Sequence, residues 1–71
     1  MSSIERTLSD QYSKSGYAEL AKLSVTVDEN GRVVTLRGRV SSYYLKQRAQ
    51  EVAKLVVEAH LIRNLIDVAH F

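Results

Sequence analysis

Seventy-one residues, 45% hydrophobic and 25% charged, describe one ordinary globular domain over residues 1–71, of a size that buries about 60% of the surface its unfolded chain exposes. Ten Lys and Arg against eight Asp and Glu leave a net charge of +2, too small for bulk charge alone to imply nucleic acid or membrane. Cysteine is absent, which excludes disulfides, thiolate metal sites and thiol nucleophiles, and no run approaches the ~18 apolar residues of a spanning helix.

The first segment, MSSIERTLSDQYSKSGY, carries charges where a signal peptide needs an apolar centre, so the chain as written is expected to stay in the cytoplasm. Within it Ile4, Leu8 and Tyr12 recur at four-residue spacing between polar residues. That spacing predicts an amphipathic helix over about 2–15, with Gly16 as its stop signal. Leu20 and Ala21 either extend this apolar face or open the next segment.

From Leu23 the period changes to two. Leu23, Val25 and Val27 take one face; Ser24, Thr26 and Asp28 take the other. Asn30-Gly31 supplies the left-handed conformations that a tight reversal needs. The return strand sets Val34, Leu36, Gly38 and Val40 against Val33, Thr35, Arg37 and Arg39. Gly38, on the apolar face, marks a close approach, expected from a helix packed on the strand.

Ser41 or Ser42 can cap the next helix. Its apolar stripe is Leu45, Ala49, Val52, Ala53 and Val56, with Lys46, Gln47, Gln50, Glu51 and Lys54 facing water. In the tail, Ile62, Asn64, Ile66 and Val68 alternate as a strand would. Val52, Leu55, Val56, Ala59, Ile62 and Ile66 also fit a helix that continues. Strand is favoured by the β-branched residues and because a lone hairpin is rarely stable without a third strand.

The order is helix, strand, strand, helix, strand: an α+β fold, αββαβ, with a three-stranded mixed sheet and two helices packed on one face. The crossover helix makes the last two strands parallel and their connection right-handed. Both positions of the last strand, beside the first strand or beside the second, fit this pattern. The other face of the sheet is left open.

Val34, Leu36, Gly38 and Val40, then Ser41 and Ser42, then Arg48, Ala49 and Ala53, and finally Ile62, Asn64, Ile66 and Val68 together resemble the BON domain. That family is named for bacterial osmotically induced and nodulation proteins, and the resemblance covers about residues 20–68. It departs at Glu58-Ala59-His60, where the family usually has a glycine. It departs again at Asn30-Gly31-Arg32-Val33, one residue longer than the usual turn, which leaves room for a bulge. The resemblance implies a small non-enzymatic αββαβ module, commonly periplasmic or envelope-associated, that binds phospholipid surfaces or mediates attachment. It implies no cofactor and transfers no binding residue to this chain.

The residues themselves supply a candidate. Arg37 and Arg39 project toward the open face, and Arg63, off the Ile62, Ile66 and Val68 face, points the same way. Ser24, Thr26 and Thr35 add hydroxyls. Guanidiniums donate paired bonds to phosphate oxygens, so Arg37, Arg39 and Arg63 are the expected contacts for an anionic surface. The plainer reading is that they keep an exposed sheet soluble, with Asp28 and Asp67 partly neutralising them. Tyr43 and Tyr44, beside Lys46 and Arg48, could anchor at lipid headgroups; the commoner arrangement packs one of them on the core edge.

Other chemistry is thinly represented. His60, read as exposed near a junction, and His70, read as terminal, lack the spacing of metal ligands. No serine has His and acid partners to activate it. The function expected is therefore attachment to an anionic phospholipid or cell-envelope surface. The alternative is a protein-interaction or self-association domain, using the unpaired sheet edges with Val33 and Leu65. Nucleic acid ranks below both, because neither a GxxG clamp nor sheet aromatics are present.

Overall fold

The computed structural model describes residues 3–28, 30, 32–57 and 60–69. Its elements are α1 (Ser3–Ser13), α2 (Ala18–Ala21), β1 (Ser24–Asp28), β2 (Val33–Val40), α3 (Tyr43–Val56) and β3 (Leu61–Val68). The strands form one mixed sheet in the order β1-β2-β3, so the last strand lies beside the second. The αββαβ expectation holds, with one addition. The segment around Leu20 is neither an extension of the first helix nor part of a strand, but a single helical turn, α2, that drives Leu20 fully into the core.

α1 buries Leu8 and Tyr12 and places Glu5 in its first turn, where a carboxylate suits the positive end of the helix dipole. It ends where Gly16 takes a φ of 86°, a left-handed conformation that glycine adopts without strain. Tyr12 ties the helix layer together: its ring is buried and its hydroxyl donates to the Ala49 carbonyl of α3 at 2.6 Å. The α2 turn is held to the start of the next helix by Ser41, whose hydroxyl donates to Glu19 Oε2 at 2.8 Å.

β1 and β2 run antiparallel from Ser24↔Arg37 to Asp28↔Val33. That register leaves the reversal between Asp28 and Val33, where Asn30 N–H donates to Asp28 Oδ1 at 3.1 Å, a side-chain turn that shapes it. Gly31 lies outside the described residues; Arg32 beyond it has a φ of 53°. The ladder is uninterrupted, so the extra turn residue expected to leave room for a bulge introduces none between these strands. Gly38 has a φ of 148°, and a Cβ there would lie 2.6 Å from Leu23 Cδ2. The close neighbour is thus the side chain entering β1, not the helix expected from the sequence.

Of the two serines, Ser42 is the cap. Its backbone is extended and its hydroxyl accepts from Leu45 N–H at 3.3 Å. Leu45, Ala49 and Ala53 bury one stripe of α3 against Val34, Leu36, Val40 and Ile66. The alanines, with no exposed surface, allow the helix to lie close. At Val57 the backbone leaves helical geometry (φ −127°, ψ 67°), and β3 then pairs in parallel with β2 from Val33↔Leu61 to Val40↔Val68. The tail is a strand. Glu58 and Ala59, at the junction where the family glycine was missed, lie outside the described residues.

Candidate functional site

Strand parity and register together lay out the face away from the helices. Along β2 it carries Val33, Thr35, Arg37 and Arg39; across β1 stand Asp28, Thr26 and Ser24; across β3 stand Leu61, Arg63, Leu65 and Asp67. Neighbouring strands are about 4.8 Å apart and same-face residues on one strand about 7 Å apart, which places Arg37, Arg39 and Arg63 within one small patch. All three are exposed. None forms an ion pair among the described residues, although Asp67 stands beside Arg39 in register. Leu65 stands beside Arg37, 44% exposed, and Leu61 beside Val33, 65% exposed. The face therefore interleaves guanidiniums with apolar side chains; Val33 and Leu65 were expected on it from the sequence, and the β2–β3 register shows which residue each stands beside.

The tyrosines follow a different plan from the one expected. Neither Tyr43 nor Tyr44 packs on the core; they are 68% and 61% exposed. Tyr44 instead meets Tyr17 edge to face, centroids 6.1 Å apart at 69°, with the hydroxyls 3.2 Å apart. The hydrogen bond with Tyr44, then charge repulsion between the two phenolates, raises the Tyr17 pKa above its ordinary value. Two residues separate β2 from α3, so these rings stand at the Arg39 end of the sheet, in the helix layer.

His60 also departs from expectation. It is half-buried rather than exposed, and its Nδ1 is buried with no hydrogen-bond partner among the described residues. It lines a groove of about 490 Å³ with Gln50, Lys54, Val57, Leu61 and Ile62, where α3 gives way to β3. No sequence signal pointed to this groove, because neither Gly nor Pro marks the helix end that creates it. His70 lies outside the described residues. Among those described, no group of three His, Cys, Asp or Glu is placed to hold a metal ion, and no helix is long and apolar enough to cross a membrane.

An α+β unit with one helix-covered face, V-x-L-x-G-x-V along β2 and N-x-I-x-V along β3 is the arrangement that the resemblance called for. The family model described as BON domain matches residues 2–70. The chain belongs to the BON family. No curated protein and no solved structure matches the chain in the same comparisons. BON domains are generally non-catalytic binding modules, so a binding surface is the feature to look for in this one. The Arg37, Arg39 and Arg63 face is the candidate that its geometry offers.

Proposed function

We propose that this BON domain, acting as one module over its length, attaches to anionic phospholipid or other anionic cell-envelope surfaces through its open sheet face. Arg37, Arg39 and Arg63 make the charge contact. The observation that carries this reading is three exposed guanidiniums on one helix-free face, none in an ion pair among the described residues. A basic residue near an anionic leaflet contributes about 1 kcal/mol. Three of them raise affinity about a hundredfold over a neutral surface. Leu61 and Leu65 add apolar contact beside them.

Such binding weakens with salt, since charges are screened beyond about 8 Å at physiological ionic strength. Co-sedimentation with anionic and zwitterionic vesicles, at low and physiological salt, tests it. Salt-sensitive binding to anionic vesicles alone, lost in R37E/R39E, is the expected result. Binding that survives both the salt and the double reversal, or no binding to either vesicle, overturns the assignment.

A further inference from the structure

The two edges of the sheet are finished differently. At β1, the outward N–H of Val27 is taken by Glu5 Oε1 of α1 at 2.9 Å, so the helix layer reaches over and satisfies one group in the middle of that edge. Among the described residues, no side chain of another element bonds the backbone of the β3 edge. Leu61 N–H donates to the Arg32 carbonyl and Ala69 N–H to that of Val40. These two bonds bracket the parallel ladder and fix its phase. The odd-numbered residues turn their backbone groups toward β2, and Ile62, Asn64, Ile66 and Val68 turn theirs outward.

Natural edge strands are usually short, bulged, interrupted by proline, or guarded by a charge set in the edge. β3 has eight residues in unbroken register, and the chain has no proline. Both charges on β3, Arg63 and Asp67, lie on the open face. Besides these two charges, the local protection among the described residues is one long bond, from Ile66 N–H to Asn64 Oδ1 at 3.3 Å. Asn64 is anchored through its other end, Nδ2, to the Lys46 carbonyl and Gln50 Oε1. Its oxygen can therefore release Ile66 without losing the tie to α3.

We propose that the β3 edge pairs antiparallel with β3 of a second copy of this chain, about a two-fold axis through Leu65, joining two sheets into one of six strands. The strand is self-complementary in this register. Leu65 meets Leu65 of the second copy, Arg63 meets Asp67, and Asp67 meets Arg63. Ile62 then faces Val68, and Asn64 faces Ile66. All four of these carry the outward backbone groups, so they exchange the ladder bonds that the edge lacks. The half-exposed Leu65 is covered by its own mate.

Charge selects this register over its neighbours. A slip of two residues sets Arg63 against Leu65 and Asp67 against Leu61, or Leu65 against Asp67. A further slip sets Arg63 against Arg63 or Asp67 against Asp67. Opposite charges directly across an antiparallel pair are favourable and like charges are not. In the favoured register the groove beside Ile62 receives the Val68 end of the second copy. Lys46 and Lys54, on the helix layer above this edge, repel their counterparts. The contact is therefore made by the strands, and its pairing is decided on the open face. This inference does not depend on vesicle binding, although the two share residues: in the dimer Arg63 pairs with the second copy's Asp67 and Leu65 is covered, so Arg37 and Arg39 remain as the uncompensated charges for an anionic surface.

Sedimentation velocity over a concentration series up to about 1 mM gives the first readout. The expected mass at the upper end is twice that of the 8.0 kDa chain. R63D makes the pairing segment acidic at both ends and D67R makes it basic at both ends, so each alone should dimerise at least about tenfold more weakly. Mixing R63D with D67R should restore dimers containing one of each, and R63D/D67R in one chain should restore the homodimer. Both positions are exposed, and circular dichroism checks that each variant is folded. As a second approach, L65C should oxidise to a cross-linked dimer much faster than T26C on the same face. A wild type that stays monomeric, single reversals that dimerise as the wild type does, or a mixture that stays monomeric overturns the proposal.

Discussion

The two faces of the sheet are made by the same eight residues of β2, yet they are governed by different physics. On the helix side Val34, Leu36 and Val40 are at most 1% exposed. On the other side Arg37 and Arg39 stand in solvent. A one-residue step along the strand thus moves from a position that holds the fold together to one that can change freely for the sake of a partner. Stability and surface chemistry are separable here by parity alone, and each substitution tests that separation.

The largest effect should come from the covered face. Leu36, fully buried at the middle of the central strand, should cost about 2–5 kcal/mol when changed to Ala, from lost burial plus the cavity left behind. Urea unfolding measures this. Thr35→Ala, one residue away and half-buried on the open face, should cost no more than about 1 kcal/mol. Similar losses at both positions would show that the open face is packed against something.

Much of this arrangement was legible beforehand, and what was missed shares one physical cause. The period-two runs from Leu23 to Val27 and from Val33 to Val40 fixed both strands and their inner faces. A serine before the Leu45 stripe marked the helix start. These are local signals, each complete within a few residues. The α2 turn is shorter than any helical period, so Ala18–Ala21 left no pattern to read. The position of His60 depends on where α3 stops, and nothing in the sequence marks Val57 as that point. Tyr12 finds its partner 37 residues away at Ala49. The arginine face was visible from parity, whereas Leu65 beside Arg37 and Asp67 beside Arg39 are consequences of the β2–β3 register.

Gly38 sharpens the comparison at an intermediate scale. Its φ of 148° is one that L-residues rarely adopt, and a methyl group would press on Leu23 Cδ2. Gly38→Ala should therefore cost about 1–3 kcal/mol. Gly16→Ala has no close neighbour and only the conformational strain of φ 86°; it should cost about 1 kcal/mol. Equal losses at the two glycines would mean that Leu23 moves aside freely.

Tyr12 extends the test to pH. Burial holds its hydroxyl in the protonated form, raising its pKa above the ordinary value of 10.0. A raised folded-state pKa contributes stability that is fully present below the unfolded value and lost as pH climbs through the folded one. The domain should therefore weaken progressively above about pH 10. Tyr12→Phe removes the hydroxyl bond to Ala49, at a cost of about 1 kcal/mol near neutrality, and should flatten the alkaline loss. An unchanged alkaline slope in Tyr12→Phe would assign that loss to another group.

The smallest change in stability should belong to the substitutions with the largest functional consequence. R37E/R39E alters two exposed residues that make no ion pair among the described residues, so urea unfolding should move by no more than about 0.5 kcal/mol per site. Reversal also brings two acids beside Asp67 in the neighbouring strand, where like charges repel weakly through solvent. The slight loss this predicts should shrink as salt is added. Vesicle binding should respond far more strongly: it should vanish in R37E/R39E at low salt, where the wild type should bind best. A double reversal that unfolds the domain would mean the open face is part of the fold's support. One that leaves both stability and vesicle binding unchanged would make these arginines plain solubilising charges.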